Sequence, residues 1–159
     1  MNDKVTLKLD TNETVQLWNA FNQMDGEQKP VKVNGQEAIV RVPYILGVKI
    51  RRVIVRNLAF LKTAINLIDE HKQSILSELW PDAPKINQGE IAIKDFPPGI
   101  FEKFKAANAE AVKQKEEITL YTIPSDVLEA TGNDFPLFVL STLDEHGLII
   151  DKPDDQTKH

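Results

Sequence analysis

The sequence contains no cysteine, which excludes disulfide bridges, cysteine-ligated metal sites and thiol catalysis. No run of about 18 apolar residues is present, so no segment is predicted to span a membrane. The three histidines, His71, His146 and His159, are isolated, and none shows the Glu-x-x-His spacing of di-iron helices. Glycines are too scattered for a phosphate-binding loop. We therefore expect no metal, no cofactor and no enzymatic activity.

One acidic pattern has a catalytic interpretation that we do not favour. Pro81 and Asp82, followed by Glu90 and Lys94, are similar to the proline-aspartate, acid-x-lysine pattern of many metal-dependent nucleases. Those sites place the acid and the lysine two residues apart on a strand, so that both face the metal. Here Glu90 and Lys94 are four apart, and a polar loop is the simpler interpretation. Ser125 is interpreted as a helix N-cap, because no Gly-x-Ser-x-Gly elbow surrounds it.

The length of 159 residues predicts a single domain over 1–150, followed by a charged, flexible tail at 151–159. The net charge of −5 is unevenly distributed along the chain. Residues 29–62 contain eight basic residues and one acid, a net +7 that leaves −12 on the remainder. Such asymmetry indicates either a polarised surface or ion pairs between the two segments. The second interpretation needs no partner.

The most informative stretch of the chain predicts one long helix over about 43–80. Pro43 suits the first turn of a helix, and no proline occurs between Pro43 and Pro81. At about 1.5 Å per residue this helix is about 55 Å long. Its apolar residues form two stripes, so we expect one side to be covered within the protein and another to meet a partner or a second copy. The second stripe contains Val53, Phe60, Ala64 and Leu67.

The remaining predicted elements are all short. Asn34 and Gly35 predict a type I′ hairpin turn, because both residues adopt positive φ at low cost. Asp10 and Glu13 have the spacing of a capping box at the start of a helix. We expect an α+β fold, mostly helical, with one long central helix, a small antiparallel β-hairpin and short extra strands. The predicted segments are strands at 5–9, 31–33, 38–42 and 118–123, a loop or short strand at 90–93, and helices starting at Asp10, near Gly99, at Ser125 and at Asn133 or Asp134.

Five residues of the long helix are predicted to bind a partner. Lys49, Arg52 and Arg56 are three and four residues apart, so they share one helix face. Guanidinium groups suit carboxylates and phosphates, because their planar fork donates two parallel hydrogen bonds. The acidic net charge and the absence of an identifiable module argue against nucleic acid. We therefore favour an acidic protein surface as the partner, and add Phe60 and Leu67 as its apolar contacts.

Several short segments of the sequence follow one another in a recognisable order. They are 15–22, Pro43 and Tyr44 with 56–58, 68–79, 116–120 and 138–143. In these segments the chain resembles a group of small, mostly helical tailed-bacteriophage proteins that carry no assigned activity. The hairpin at Asn34 and Gly35 departs from the shorter connection expected in that group.

This resemblance implies a phage product that is expressed late or carried with the particle, in the host cytoplasm or the virion. The resemblance assigns no functional residue to this chain. The leading hypothesis is a non-enzymatic accessory protein of virion structure or assembly that binds a protein partner or itself. One alternative is an early phage inhibitor of a host nuclease or defence complex. The other is a nucleic-acid-binding protein that uses the basic stripe of the long helix. No membrane partner is expected.

Overall fold

The computed structural model describes residues 3–82 and 95–151, without the side chains of 27–29. The predicted α+β, mostly helical fold with one long helix is confirmed. The predicted tail beyond residue 151 and the loop or strand at 90–93 lie outside the described residues, as do Glu90 and Lys94. In chain order the elements are β1 Lys4–Leu9, α1 Thr11–Asp25, β2 Glu27–Val33, β3 Gln36–Val42, α2 Gly47–Leu79, α3 Ile100–Lys113, β4 Glu116–Tyr121, β5 Ile123–Pro124, α4 Ser125–Glu129, α5 Leu137–Glu145 and β6 Ile149–Ile150.

The long helix α2 is continuous over 33 residues, about 50 Å at 1.5 Å per residue. It begins at Gly47, and the predicted start at Pro43 is wrong. Gly47 has a φ of 77°, a left-handed conformation that a right-handed helix does not continue through. Pro43 therefore belongs to a non-helical connection between β3 and α2. The helix ends before Trp80, next to Pro81, as predicted.

The hydrophobic core surrounds the first half of α2. The buried residues of this half lie between Ile50 and Leu61 and pack with α1 and β4, and α5 joins the same core through its contacts with α1. Between Leu61 and Leu76, no residue of α2 is fully buried. The apolar stripe predicted for this second half is therefore only partly covered, mainly by α3, whose own residues are also never fully buried. The long helix thus has a packed half and a half with much apolar surface in contact with solvent.

The described strands form three separate two-stranded sheets. β1 and β4 are antiparallel, with Lys4 opposite Tyr121, and β4 lies against α2. β2 and β3 form the predicted hairpin, which is longer than expected from its apolar residues. β5 and β6 are a short parallel pair. The strand predicted at 118–123 is divided, because β4 ends at Tyr121 and β5 begins at Ile123.

Two local turn and cap predictions agree with the structure. The Asp10 carboxylate accepts a hydrogen bond from the Glu13 N–H at 2.8 Å, and the Asp10 N–H donates to the Glu13 carboxylate at 3.1 Å. This reciprocal pair is the capping box of α1. Asn34 and Gly35 have φ values of 52° and 80°, as a type I′ turn requires.

Two predicted helix starts are wrong. Ser125 is the first residue of α4 rather than its N-cap, a position that Pro124 occupies without a side-chain hydrogen bond. The last helix begins at Leu137 rather than at residue 133 or 134. Its late start follows from Pro136, because a proline disfavours helical backbone at the preceding residue, here Phe135.

Candidate functional site

The five predicted partner-binding residues lie along one side of α2. Lys49, Arg52, Arg56, Phe60 and Leu67 are separated by three, four, four and seven residues, so they fall on one helix face. Lys49 and Leu67 are five helical turns apart, about 27 Å. All five side chains are exposed. We call these five residues the exposed α2 face.

The basic half of the exposed α2 face forms no ion pair with any described residue. Within residues 3–82 and 95–151, the ion pair formed by the basic segment joins Arg41 to Asp25, at 3.0 Å. Arg51, beside the face, reaches the Tyr44 carbonyl oxygen at 3.5 Å. In the described part of the chain, the charge asymmetry therefore produces mainly a polarised surface, and the Arg41–Asp25 pair is the ion pair that joins the two segments.

The ring of Tyr121 links the basic and apolar halves of the exposed α2 face. The Arg56 guanidinium carbon lies 5.3 Å from the ring centroid, and Lys4 Nζ lies 4.9 Å from it. Such cation–π contacts hold the two cations close to one aromatic ring. The Phe60 ring is nearly parallel to that of Tyr121, with centroids 6.2 Å apart. The contacts bring Lys4 of β1 next to the basic half of the face.

Sequence reasoning missed Lys4 and Tyr121 as members of this surface. They meet because β1 and β4 pair in a register that places them opposite each other. Tyr121 meets Arg56 because β4 lies against α2, and the two residues are far apart in sequence. No spacing rule within one element predicts either contact.

Phe60 and Leu67 line a groove between α2, α3, β4 and the start of α1. Phe60 is 44% exposed and Leu67 is 60% exposed. The groove has a volume of about 890 Å³, within the usual range for sites that bind small ligands or a few side chains of a partner. We call it the Phe60–Leu67 groove. Its other apolar lining residues are Leu9, Val15, Ala64, Ile68, Ala111, Val112 and Ile118.

The rim of the Phe60–Leu67 groove carries charges of both signs. The surface therefore changes along α2, from a basic end at Lys49 to an apolar groove with an acid-rich rim. The chemistry of this surface suits combined charge and hydrophobic contact rather than charge alone. The charged rim residues include the acids Asp10, Asp69, Glu116 and Glu117 and the bases Lys4 and Lys72.

Within residues 3–82 and 95–151, no three histidine, aspartate or glutamate side chains cluster in a way that suits a metal ion. No helix in the same ranges combines the length and hydrophobicity needed to cross a bilayer. Comparisons with known protein families, with curated proteins and with solved structures find no match to this chain.

Proposed function

We propose that this chain is a non-enzymatic accessory protein of a tailed bacteriophage that acts by protein–protein contact in virion structure or assembly. It acts in the host cytoplasm and in the particle. The exposed α2 face is the observation that carries the contact role. Three cations without a described ion partner are followed, on the same side of the helix, by Phe60 and Leu67 over a groove. Arginine and aromatic residues are enriched in protein interfaces.

The chemistry of the face specifies the kind of partner surface. Carboxylates of the partner meet Lys49, Arg52 and Arg56, and an apolar side chain of the partner enters the Phe60–Leu67 groove. The contact of Arg56 with Tyr121 restricts the guanidinium before binding, which lowers the entropy that binding costs. The partner is another protein of the particle or a second copy of this chain, whose net charge of −5 has the required sign.

Mass spectrometry of purified particles and of assembly intermediates tests the proposal. We expect peptides of this protein to be recovered with them in constant proportion to a major structural protein. Recovery only in the host lysate, bound to a host nuclease or defence complex, would instead support an early inhibitor and overturn the proposal.

Charge reversal then tests the surface itself. Arg52→Glu should lower co-purification with the particle protein by about tenfold, because a like charge faces the partner's carboxylates. Lys103→Glu is the matched control. Lys103 is also exposed, but it lies in the first turn of α3, a helix whose Phe101 contacts Phe96, and Phe96 in turn contacts Trp80 at the far end of α2. Equal losses for both variants would show that overall charge, and not the exposed α2 face, determines binding.

The same cations favour a second candidate function, nucleic-acid binding. Lys4 and Arg56, which both contact the Tyr121 ring, extend the basic surface beyond one helix. This candidate predicts an electrophoretic mobility shift with duplex or single-stranded DNA at low salt, and a steep loss of affinity as salt increases. A particle protein that uses the face for protein contact shows no such shift with the wild-type chain.

A further inference from the structure

The β2–β3 hairpin has little support from the other residues that the structure describes. Every residue of β3 is exposed, and Ile39 is 74% exposed. Neither strand makes an extended contact with any other described helix or strand. The ion pair from Arg41 to Asp25 ties the base of the hairpin to the end of α1. An isolated two-stranded hairpin is only marginally stable in water, so further pairing would stabilise it.

The backbone pattern shows which groups face outward. Asn34 and Gly35 form a type I′ turn, so Val33 and Gln36 are a hydrogen-bonded pair. Hydrogen-bonded and non-hydrogen-bonded pairs alternate along an antiparallel ladder. Glu37, Ile39 and Arg41 therefore direct their N–H and C=O groups away from β2, towards the free edge of β3. Each of these three residues has a backbone N–H that can donate a hydrogen bond, because β3 contains no proline.

The outer edge of β2 is different from that of β3. Pro30 lies opposite Ile39, at a non-hydrogen-bonded position, where its missing N–H would have faced outward. A proline at that position blocks the addition of another strand, as in many natural edge strands. The hairpin thus has one blocked edge and one open edge.

We propose that β3 pairs antiparallel with β3 of a second copy, about a two-fold axis at Ile39. In this register Ile39 lies opposite Ile39 of the second copy, and Glu37 lies opposite its Arg41. These are the three residues whose backbone groups face outward, so about six hydrogen bonds join the two edges. The two hairpins become one four-stranded sheet.

Charge complementarity selects this register. No other antiparallel alignment of β3 with itself places Glu37 opposite Arg41. The two-fold axis repeats that pair, so one dimer contains two opposite-charge cross-strand pairs. Arg41 can meet Glu37 while it holds Asp25, because a guanidinium has five N–H donors and this side chain is 44% exposed. On the other face of the strand, Ala38 lies opposite Val40 of the second copy, an apolar pair.

A charge-swap series tests the pairing by sedimentation equilibrium. Glu37→Arg alone places arginine opposite arginine, and Arg41→Glu alone places glutamate opposite glutamate. Each single variant should raise the dimer Kd about tenfold, since opposite-charge pairs become like-charge pairs. An equimolar mixture of the two variants restores both opposite-charge pairs and should dimerise as tightly as the wild type. A wild-type monomer at tens of micromolar, or a mixture no tighter than its components, overturns the inference.

Backbone pairing is tested separately by proline substitution. Ile39→Pro removes a donor at the centre of the open edge and leaves the hairpin intact, because the Ile39 N–H does not face β2. Lys32→Pro is the control, since Lys32 occupies the equivalent outward position on the blocked edge. We expect dimer dissociation with Ile39→Pro and an unchanged Kd with Lys32→Pro. In the wild type, slow amide exchange at residues 37, 39 and 41 should appear only in the dimer. Amides at these positions that exchange equally fast in monomer and dimer would contradict the pairing.

This inference does not depend on the proposed function, because β3 and the exposed α2 face are different residues. Loss of self-association in Arg52→Glu with normal dimers in Glu37→Arg would overturn the β3 pairing and support the exposed α2 face. Loss of dimers in Glu37→Arg with unchanged particle binding would support the β3 pairing and leave the α2 contact independent of it.

Discussion

The side chain of Asn57 forms two hydrogen bonds with the backbone of Tyr121. Its Nδ2 donates to the Tyr121 carbonyl oxygen at 3.0 Å, and its Oδ1 accepts from the Tyr121 N–H at 2.8 Å. Asn57 is fully buried within the apolar core face of α2. The pair therefore joins α2 to the end of β4, and it also positions the Tyr121 ring that contacts Arg56 and Phe60. A buried polar side chain thus helps to fix part of the exposed surface.

Asn57→Ala should lower the free energy of unfolding by about 2–4 kcal/mol, because both the N–H and the C=O of Tyr121 lose their partner in a partly buried position. Urea unfolding measures this loss. Asn66→Ala is the control, since Asn66 lies on the same helix but is exposed. Its effect should stay within about 0.5 kcal/mol. Equal effects of the two substitutions would show that the bonds to Tyr121 contribute nothing to stability.

Leu67→Asp should weaken the binding of an apolar fluorescent dye to the Phe60–Leu67 groove by several-fold, because a charged group replaces an apolar wall. Folding should change by less than about 1 kcal/mol, since Leu67 is 60% exposed. Val55→Asp is a matched control, because Val55 is 64% exposed, and it does not line the groove. Dye titration with both variants separates the groove from general surface hydrophobicity. A similar loss in Val55→Asp would contradict the assignment.

Asp10→Ala should destabilise the protein by about 1 kcal/mol, because it removes the side-chain acceptor of the α1 capping box. Thermal unfolding followed by circular dichroism detects the change. Asn12→Ala, in the first turn of the same helix, changes an exposed polar side chain that forms no part of the capping box. If Asn12→Ala costs as much as Asp10→Ala, the cap is not the source of the stability.

Gly35→Ala should disrupt the hairpin locally without unfolding the protein. Gly35 has a φ of 80°, which costs an L-residue about 1–2 kcal/mol. The hairpin is not part of the core, so the urea midpoint of the monomer should not move. Hydrogen exchange should show faster amides in β2 and β3 and unchanged amides in α1. Gln36→Ala, next to the turn but without backbone strain, should leave the β2 and β3 amides protected. A lowered urea midpoint in Gly35→Ala would mean that the hairpin contributes to global stability.

The elements predicted correctly depend on interactions between residues close in the chain. Asp10 and Glu13 are three residues apart and form the predicted capping box. Asn34 and Gly35 form the predicted turn, because their positive φ values need no tertiary contact. The placement of the exposed α2 face on one side of the helix also follows from spacing alone. The predicted start of α2 is wrong because Pro43 suits a first helical turn, but the left-handed conformation of Gly47 prevents the helix from extending back to Pro43.

Apolar periodicity predicted where α2 has an inward face but not how far that face is covered. Ile65 and Ile68 continue the stripe of Ile54 and Leu61, yet they are only half-buried. Their coverage depends on where α1, α5 and α3 end in space, which the pattern of α2 does not contain. The groove beside Leu67 arises for the same reason.

The amino-acid sequence alone specified the long helix and its end next to Pro81, the capping box of α1, the hairpin turn, and the order of cations and apolar groups along one helix face. Those features depend on backbone conformations and spacings within a few residues. The meeting of Lys4, Arg56 and Tyr121, the bonds of Asn57, the groove and the open edge of β3 depended on chain folding. Asn57 and Tyr121 are 64 positions apart in the chain. Contacts over such distances are set by the packing of whole elements, because no local backbone preference reaches that far.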